Sequence, residues 1–347
     1  MRFERLSDNC VFAFIPELEP VWGAISLLSG ETVHTLCTEI YGTEQIVAWK
    51  RKYNFLFEIY AVITKHFNVN MLDYLLEMPL ENISLDSLQK TVLAESAVDF
   101  VWRQMSLDYF CKEANKETLE KAMTDDAALD EAYGWIADHC ESFLAFSAFV
   151  RQSRRFISEF FSLAKDMQTP ELEAALEKQT SKIERMYQSV CQGAKTDDLL
   201  LFSQEMMGKT FRNRGPYSEF IFLPSYMIPL KACRFFDVEG DHKRQILFLT
   251  LRQISRDRED KVKVLKAIAD PTRYQILTIL AQEGPMRGMD IAKKVSVATS
   301  TISHHMEQMR DCGLVTEEPV KNAKYYGLSK QSAKALLDEI ASDFEIE

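Results

Sequence analysis

Across Leu85 to Met105 and Lys116 to His139, apolar residues recur at spacings of three and four between charged ones, which predicts helices that bury one face. Phe143, Phe146, Phe149, Phe156 and Phe160 carry the same period through one long segment and read as core, with a ligand cavity as the alternative. Thr169-Pro170 ahead of Glu171 to Cys191 predicts a helix with a threonine N-cap and a proline at its first position. Val11 to Ile15 reads as a short strand. The period changes after Gly215-Pro216. Glu219 to Leu223, Ala232 to Phe236 and Gln245 to Leu251 are short and rich in aromatic and branched residues, and predict a small antiparallel meander. The fold class expected is mainly α with minor β: a helical domain over residues 1–255 ending in short strands (about 218–251), then a second domain over 256–347 joined through the polar stretch Gln253 to Asp260.

The second domain is the more legible one. Val262, Leu265 and Ile268/Ala269 predict a first amphipathic helix. Asp270 stands at an N-cap position with Pro271 behind it, and Ile276, Leu277 and Leu280 line the next helix up to Gly284-Pro285. Met289 to Val295 reads as a short third helix burying Ile291, Ala292 and Val295, and after Ser296-Val297 a fourth runs from Thr299 to Cys312, stopped by Gly313. On that fourth helix Ile302, Met306 and Met309 form the buried stripe, so Ser300, Ser303, His304 and Glu307 point away from it. Small hydroxyl side chains on an outward face let a helix backbone approach a DNA groove, and its free N-terminal N–H groups favour phosphate. Strands Leu314 to Glu318 and Lys324 to Leu328 then make a hairpin, or wing, around Lys321-Asn322-Ala323, with Lys321 and Lys324 flanking its tip. Ser329 caps a last helix with Ala333, Leu336, Leu337, Ile340 and Phe344 on one side, suited to packing on the first helix or on a second subunit.

Charge and chemistry narrow the reading. Net charge is −11, yet from Arg258 onward 13 Lys and Arg stand against 14 Asp and Glu, so nearly all the acidity lies elsewhere and DNA binding at the C-terminus is permitted. The seven cysteines are scattered and contain no CxxC, which argues against a disulfide framework or zinc ribbon. His34 and Cys37 supply only half a metal site. There is no signal-like start and no membrane-length apolar run, which predicts a cytoplasmic protein. GxGxxG, P-loop, GxSxG, HExxH and kinase signatures are absent, so no enzyme class and no cofactor is indicated. Arg151, Arg154 and Arg155 read as a solvated face, or as a site for an anionic effector or DNA phosphates.

The run from Leu265 through Ala269-Asp-Pro-Thr-Arg273 to Leu277, then Ser300-Thr-Ile-Ser-His-His305, Gly313-Leu-Val315 and Tyr325-Tyr326, resembles the ArsR family of winged-helix repressors over about 75 to 80 residues. The resemblance implies a winged helix-turn-helix, a homodimer formed through its first and last helices, and imperfect palindromic operators on double-stranded DNA. Carried over by position, it implies DNA contacts from Thr299, Ser300, Thr301, Ser303 and His304, with Lys321 and Lys324 on the wing. The chain departs from the family pattern in places. Where metal-sensing members carry Cys-x-Cys, this chain has Arg287 and Met289, and its last helix has no His, so no metal is expected at either family site. Ala298 cannot cap the fourth helix, leaving Thr299 to do so, and Glu317, Glu318 and Pro319 occupy the first wing strand. His305 falls beside the buried stripe and reads as a hydrogen-bonded core histidine, with base contact as the alternative. Cys312 reads as a small residue before the glycine stop.

The function expected is therefore a sequence-specific DNA-binding transcription regulator, a dimeric repressor. Its first domain either adds dimer surface or senses an unidentified small-molecule effector. The competing readings are an enzyme of unrecognised type with an appended DNA-binding module, and a protein-interaction adaptor.

Overall fold

The computed structural model describes residues 2–29, 34–64, 67, 69–107, 111–138, 140, 142–196, 198–208, 211, 215–237, 243–252, 258–320 and 323–344. It divides into two compact units, Met1–Asp197 with Gly215–Arg252, and Asp198–Arg214 with Gln253–Glu347.

Burial along the strands decides the order of the first unit's sheet. Arg2–Ser7 (β1), Cys10–Phe14 (β2), Glu219–Ser225 (β3), Ala232–Phe236 (β4) and Arg244–Thr250 (β5) form one sheet in the order β1-β2-β3-β5-β4. β2, β3 and β5 are buried along nearly their whole length. They run parallel, with Val11 opposite Ile221 and Phe222 opposite Leu247. Continuous apolar runs such as Phe220-Ile-Phe-Leu223 and Ile246-Leu-Phe-Leu249 fit strands covered on both faces. β1 and β4 expose more of themselves and close the two edges antiparallel. The expected meander is thus corrected: β3 and β5 are direct parallel neighbours, and β4 lies outside β5 rather than between them. An antiparallel sheet with one solvated face shows alternating burial, and neither β3 nor β5 alternates.

The helices of this unit are Glu19–Leu28 (α1), His34–Tyr41 (α2), Thr43–Lys52 (α3), Asn54–Ile63 (α4), Leu85–Ala94 (α5), Ala97–Met105 (α6), Lys116–Ala122 (α7), Asp126–Gly134 (α8), Phe143–Arg151 (α9), Ser153–Asp166 (α10), Pro170–Glu177 (α11) and Thr180–Gly193 (α12). The mainly α class with minor β stands. The phenylalanine segment is two helices that break at Gln152, and Phe146, Phe149, Phe156 and Phe160 are fully buried, as core. Phe149 meets Phe156 edge-on at 5.0 Å, and Trp22 of α1 meets Phe248 of β5 at 5.1 Å, so helices and sheet share one apolar cluster. Thr169 caps α11 through Leu172 N with Pro170 behind it, but the helix stops at Glu177 and α12 begins at Thr180.

The second unit holds Leu199–Met207 (α13), Arg258–Ala269 (α14), Pro271–Glu283 (α15), Met286–Arg287 (β6), Gly288–Val295 (α16), Thr299–Asp311 (α17), Val315–Val320 (β7), Ala323–Leu328 (β8) and Lys330–Asp343 (α18). Its sheet runs β6-β8-β7, all antiparallel, which puts the Pro319-bearing strand at an edge as expected. A second apolar cluster joins Val264, Ile276, Leu280, Ile291, Ile302, Met306, Met309, Leu314 and Leu336.

Candidate nucleic-acid interface

The interface is assembled from the Asp270 turn outward. The Asp270 carboxylate accepts from Arg273 N at 2.9 Å, and Pro271 follows at the first helical position, so α15 starts where the sequence places it. The hydrogen bond to that backbone N–H holds the Asp270 carboxyl below its ordinary range. Ile276, Leu277 and Leu280 seat α15 in the core. α16 ends on Ser296 in the left-handed conformation, and Val297 N returns to Ala292 O at 3.1 Å, closing a tight turn into α17.

α17 rests on Ile302, Met306 and Met309, all essentially inaccessible, which is the predicted stripe. Its far end is closed by paired bonds, Leu314 N to Met309 O and Gly313 N to Arg310 O, both 2.8 Å, with Gly313 at φ +70°. Leu314 is buried against the same cluster and fixes the exit into β7.

The opposite face is open. Thr299, Ser300, Thr301, Ser303, His304 and Glu307 are all exposed, so the five helix residues implicated by the sequence lie together on the first turns of one outward face. Ser303 Oγ donates to Thr299 O at 3.1 Å. Ala298 occupies the N-cap with φ −64° and ψ 147°, and no side chain caps the helix; Thr299 does not take the role over, because it already sits inside the helix as its first residue. The first-turn N–H groups of α17 therefore have no side-chain cap, an arrangement suited to a phosphate oxygen.

The wing is present as β7 and β8, paired from Val315–Leu328 to Val320–Ala323. Lys324 pairs with Pro319 in that register, and Lys321 lies outside the described residues.

Arg273 and Gln308 are tied to the candidate face through His304, although the spacing argument did not single them out. Arg273 donates through Nε to Ala267 O at 2.8 Å and through Nη2 to Lys266 O at 3.2 Å, tying the end of α14 to α15, while Nη1 donates to Gln308 Oε1 on α17. The signal was present in the Asp270-Pro-Thr-Arg273 box, read there as a cap and not as a brace. His305 is half-buried, and its Nδ1 is buried with no hydrogen-bond partner among the described residues, so it packs without the expected bond. Burial pushes its pKa down, against the pull of Asp270.

Apolar exposure differs from the sequence pattern on α14. Val264 and Ala267 are buried, whereas Val262 and Leu265 are 41% and 42% exposed. The helix is apolar on two faces, and spacing alone could not say which one meets the core. On α18, Leu336 is buried while Leu337 and Phe344 are 65% and 69% exposed.

Two other sequence candidates are absorbed by the fold. Arg287, at the family's thiolate position, donates to Tyr325 Oη at 2.7 Å and stacks over its ring. Arg151 binds Asp126 and Ala122 O and Arg154 the carbonyls of Leu93 and Glu95, so these two brace neighbouring helices of the first unit, while Arg155 bonds Glu159 of its own helix and Gln152 at its cap. Cys37 is fully buried with its thiol directed at Gly23 O. Among the described residues no group of three metal-ligating side chains occurs, and no helix is long and apolar enough to cross a membrane.

Comparison with known proteins agrees with this geometry. The family described as bacterial regulatory protein, arsR family, matches residues 270–317. The cadmium resistance transcriptional regulatory protein CadC homolog of Staphylococcus aureus is 31% identical over 80 residues, which is 23% of this chain and 66% of its own length. The arsenical resistance operon repressor of Bacillus subtilis is 31% identical over 90 residues, 26% of this chain and 83% of its own length. The transcriptional repressor SdpR of Bacillus subtilis is 35% identical over 66 residues, 19% of this chain and 72% of its own length.

Proposed function

Because the chain belongs to the arsR family of bacterial regulatory proteins, we propose that it is a sequence-specific, dimeric transcription repressor that binds palindromic operators. The observation that carries the reading is the outward face of α17. Thr299, Ser300, Thr301, Ser303 and His304 stand exposed on a helix anchored from behind by three buried apolar residues. Hydroxyls and an imidazole at that face reach phosphates and base edges, and no bulky side chain holds the backbone off the groove. Lys321 and Lys324 of the wing are assigned to the flanking phosphates.

Dimerisation is supported by the unpartnered apolar side chains of α14 and α18. Val262, Leu265, Leu337 and Phe344 are too large and too exposed to be explained by the core of one unit. Two copies of α17 related by a two-fold axis would read two half-sites one helical turn apart, hence a palindrome.

The first unit, which has an apolar core of its own, is assigned either to adding dimer surface or to sensing an unidentified small molecule. The cadmium and arsenical responses named for two relatives are not extended to this chain, where the Arg287 guanidinium is committed to Tyr325.

Selection of bound fragments from the source genome tests the reading. The full chain is expected to enrich a small set of inverted repeats, and the Ser303→Ala plus His304→Ala variant to lose that enrichment while still folding. Undiminished enrichment by the double variant would remove the contact assignment.

A further inference from the structure

Gln308 stands one turn beyond His304 on α17, on the flank that faces α15. Its amide oxygen accepts from Arg273 Nη1, and its amide nitrogen lies 3.0 Å from His304 Nε2. A guanidinium has only protons to offer, so the Gln308 oxygen must be the atom that faces it; the flipped amide would set N–H groups against N–H groups. The Gln308 nitrogen is thereby turned toward His304, and it too can only donate. His304 Nε2 must accept, which leaves the ring proton on Nδ1. Arg273 cannot swing away to relax this order, because Nε and Nη2 are held by the last carbonyls of α14 and the Asp270 carboxylate lies at 3.9 Å. The donors run in one direction, from Arg273 through Gln308 to the exposed ring.

We propose that Arg273 and Gln308 are positioning residues that hold His304 in its Nδ1–H form, so that this position of the interface presents a single donor to the base it meets. The inference rests on the reading of α17 as the helix that enters the major groove. There, guanine offers N7 and O6, adenine N7 and thymine O4 as acceptors, whereas cytosine offers only its amino donor. A histidine locked as a donor accepts any of the first three and rejects cytosine on the contacted strand. An unlocked histidine would present a lone pair to the cytosine amino group simply by moving its proton, and would lose that discrimination.

The experiment has two arms. In the DNA-free full chain labelled with nitrogen-15 histidine, at mildly alkaline pH, the His304 resonances are assigned from their loss in His304→Gln. Wild type is expected to show a proton on Nδ1 and a lone pair on Nε2. Gln308→Leu and Arg273→Lys are both expected to return the ring toward the Nε2–H form that isolated neutral imidazole favours. In parallel, selection from a randomised duplex pool is expected to show that Gln308→Leu weakens the discrimination against cytosine roughly three- to tenfold at one position per half-site, the worth of about one hydrogen bond, with the other positions unchanged. A wild-type ring protonated on Nε2, or a cytosine preference untouched by Gln308→Leu, overturns the proposal. A specificity loss spread evenly over every position overturns it as well, since it would mark a folding defect. If the Nδ1–H form is seen but no duplex is selected at all, it is the DNA reading of α17 that falls, and the base contact falls with it.

Discussion

Glu19 shows how one buried side chain contributes to the response of a whole unit to pH. It is fully buried at the start of α1, and its carboxylate accepts from Tyr226 N, Met227 N and Ser225 Oγ at 2.8 to 3.1 Å. Burial dominates these bonds and the partial charge compensation from Arg252, and it lifts the carboxyl from 4.5 to about 7. The folded protein therefore binds the Glu19 proton more tightly than the unfolded chain does. The associated stability is complete below the unfolded value and is lost as pH rises through the folded one, between 4.5 and about 7. All four tryptophans, Trp22, Trp49, Trp102 and Trp135, belong to the first unit, so urea unfolding followed by tryptophan fluorescence reports that unit alone. The unit is expected to lose on the order of 3 kcal/mol from this group across the window, and Glu19→Gln, which mimics the protonated form, to make the slope shallower by that share, leaving the part due to Asp73, whose carboxyl burial also lifts to about 7. An unchanged slope in the variant would assign the pH dependence to other groups. Nothing in the sequence marked Glu19, because its three donors come from chain more than two hundred residues away.

At the scale of elements, the two helix starts of the DNA-binding unit form a natural comparison. Asp270 caps α15 with a side-chain bond, and Ala298 has the same extended N-cap backbone ahead of α17 with no such bond. Asp270→Ala is expected to cost, and Ala298→Ser to contribute, about 1 kcal/mol of local stability. Hydrogen exchange of peptides covering 271–283 and 299–311 would register faster exchange in the first variant and slower in the second; no change at 299–311 in Ala298→Ser would mean that the uncapped start carries no stability deficit. The elements legible in the sequence were those whose cues are local. The Asp-Pro cap, the Ile302, Met306 and Met309 stripe and the Gly313 stop each need only one turn of neighbouring chain, and each was read correctly. Strand order was not legible, since β2 finds its partner β3 across the described helices α1 to α13. The apolar runs of β3 and β5 did carry the information that both were central. Assigning a meander overlooked that neither run alternates. The Arg273 brace was half legible for a related reason: the Asp270-Pro-Thr-Arg273 box marked its junction with α14, but the Gln308 end is supplied by a different helix.

At the scale of the molecule, a compact DNA-reading unit is coupled in sequence to a larger unit with its own sheet and apolar core, and the chain passes between them at residues 197–198, 214–215 and 252–253. The second unit interrupts the first, taking α13 out of the middle of the chain as well as everything from Gln253 on. A signal received by the first unit has three covalent routes to the second, although an effector can bias DNA binding only by favouring one of two states. The proposed function requires that the outward face of α17 lie in a major groove, once in each half-site of the proposed dimer. Protection of guanine N7 from methylation on a selected duplex tests this most directly, because N7 is reachable only from that groove. The full chain is expected to protect two patches centred about 10 base pairs apart, and Ser303→Ala plus His304→Ala to leave both patches open. Guanine N7 equally reactive with and without bound protein would contradict it.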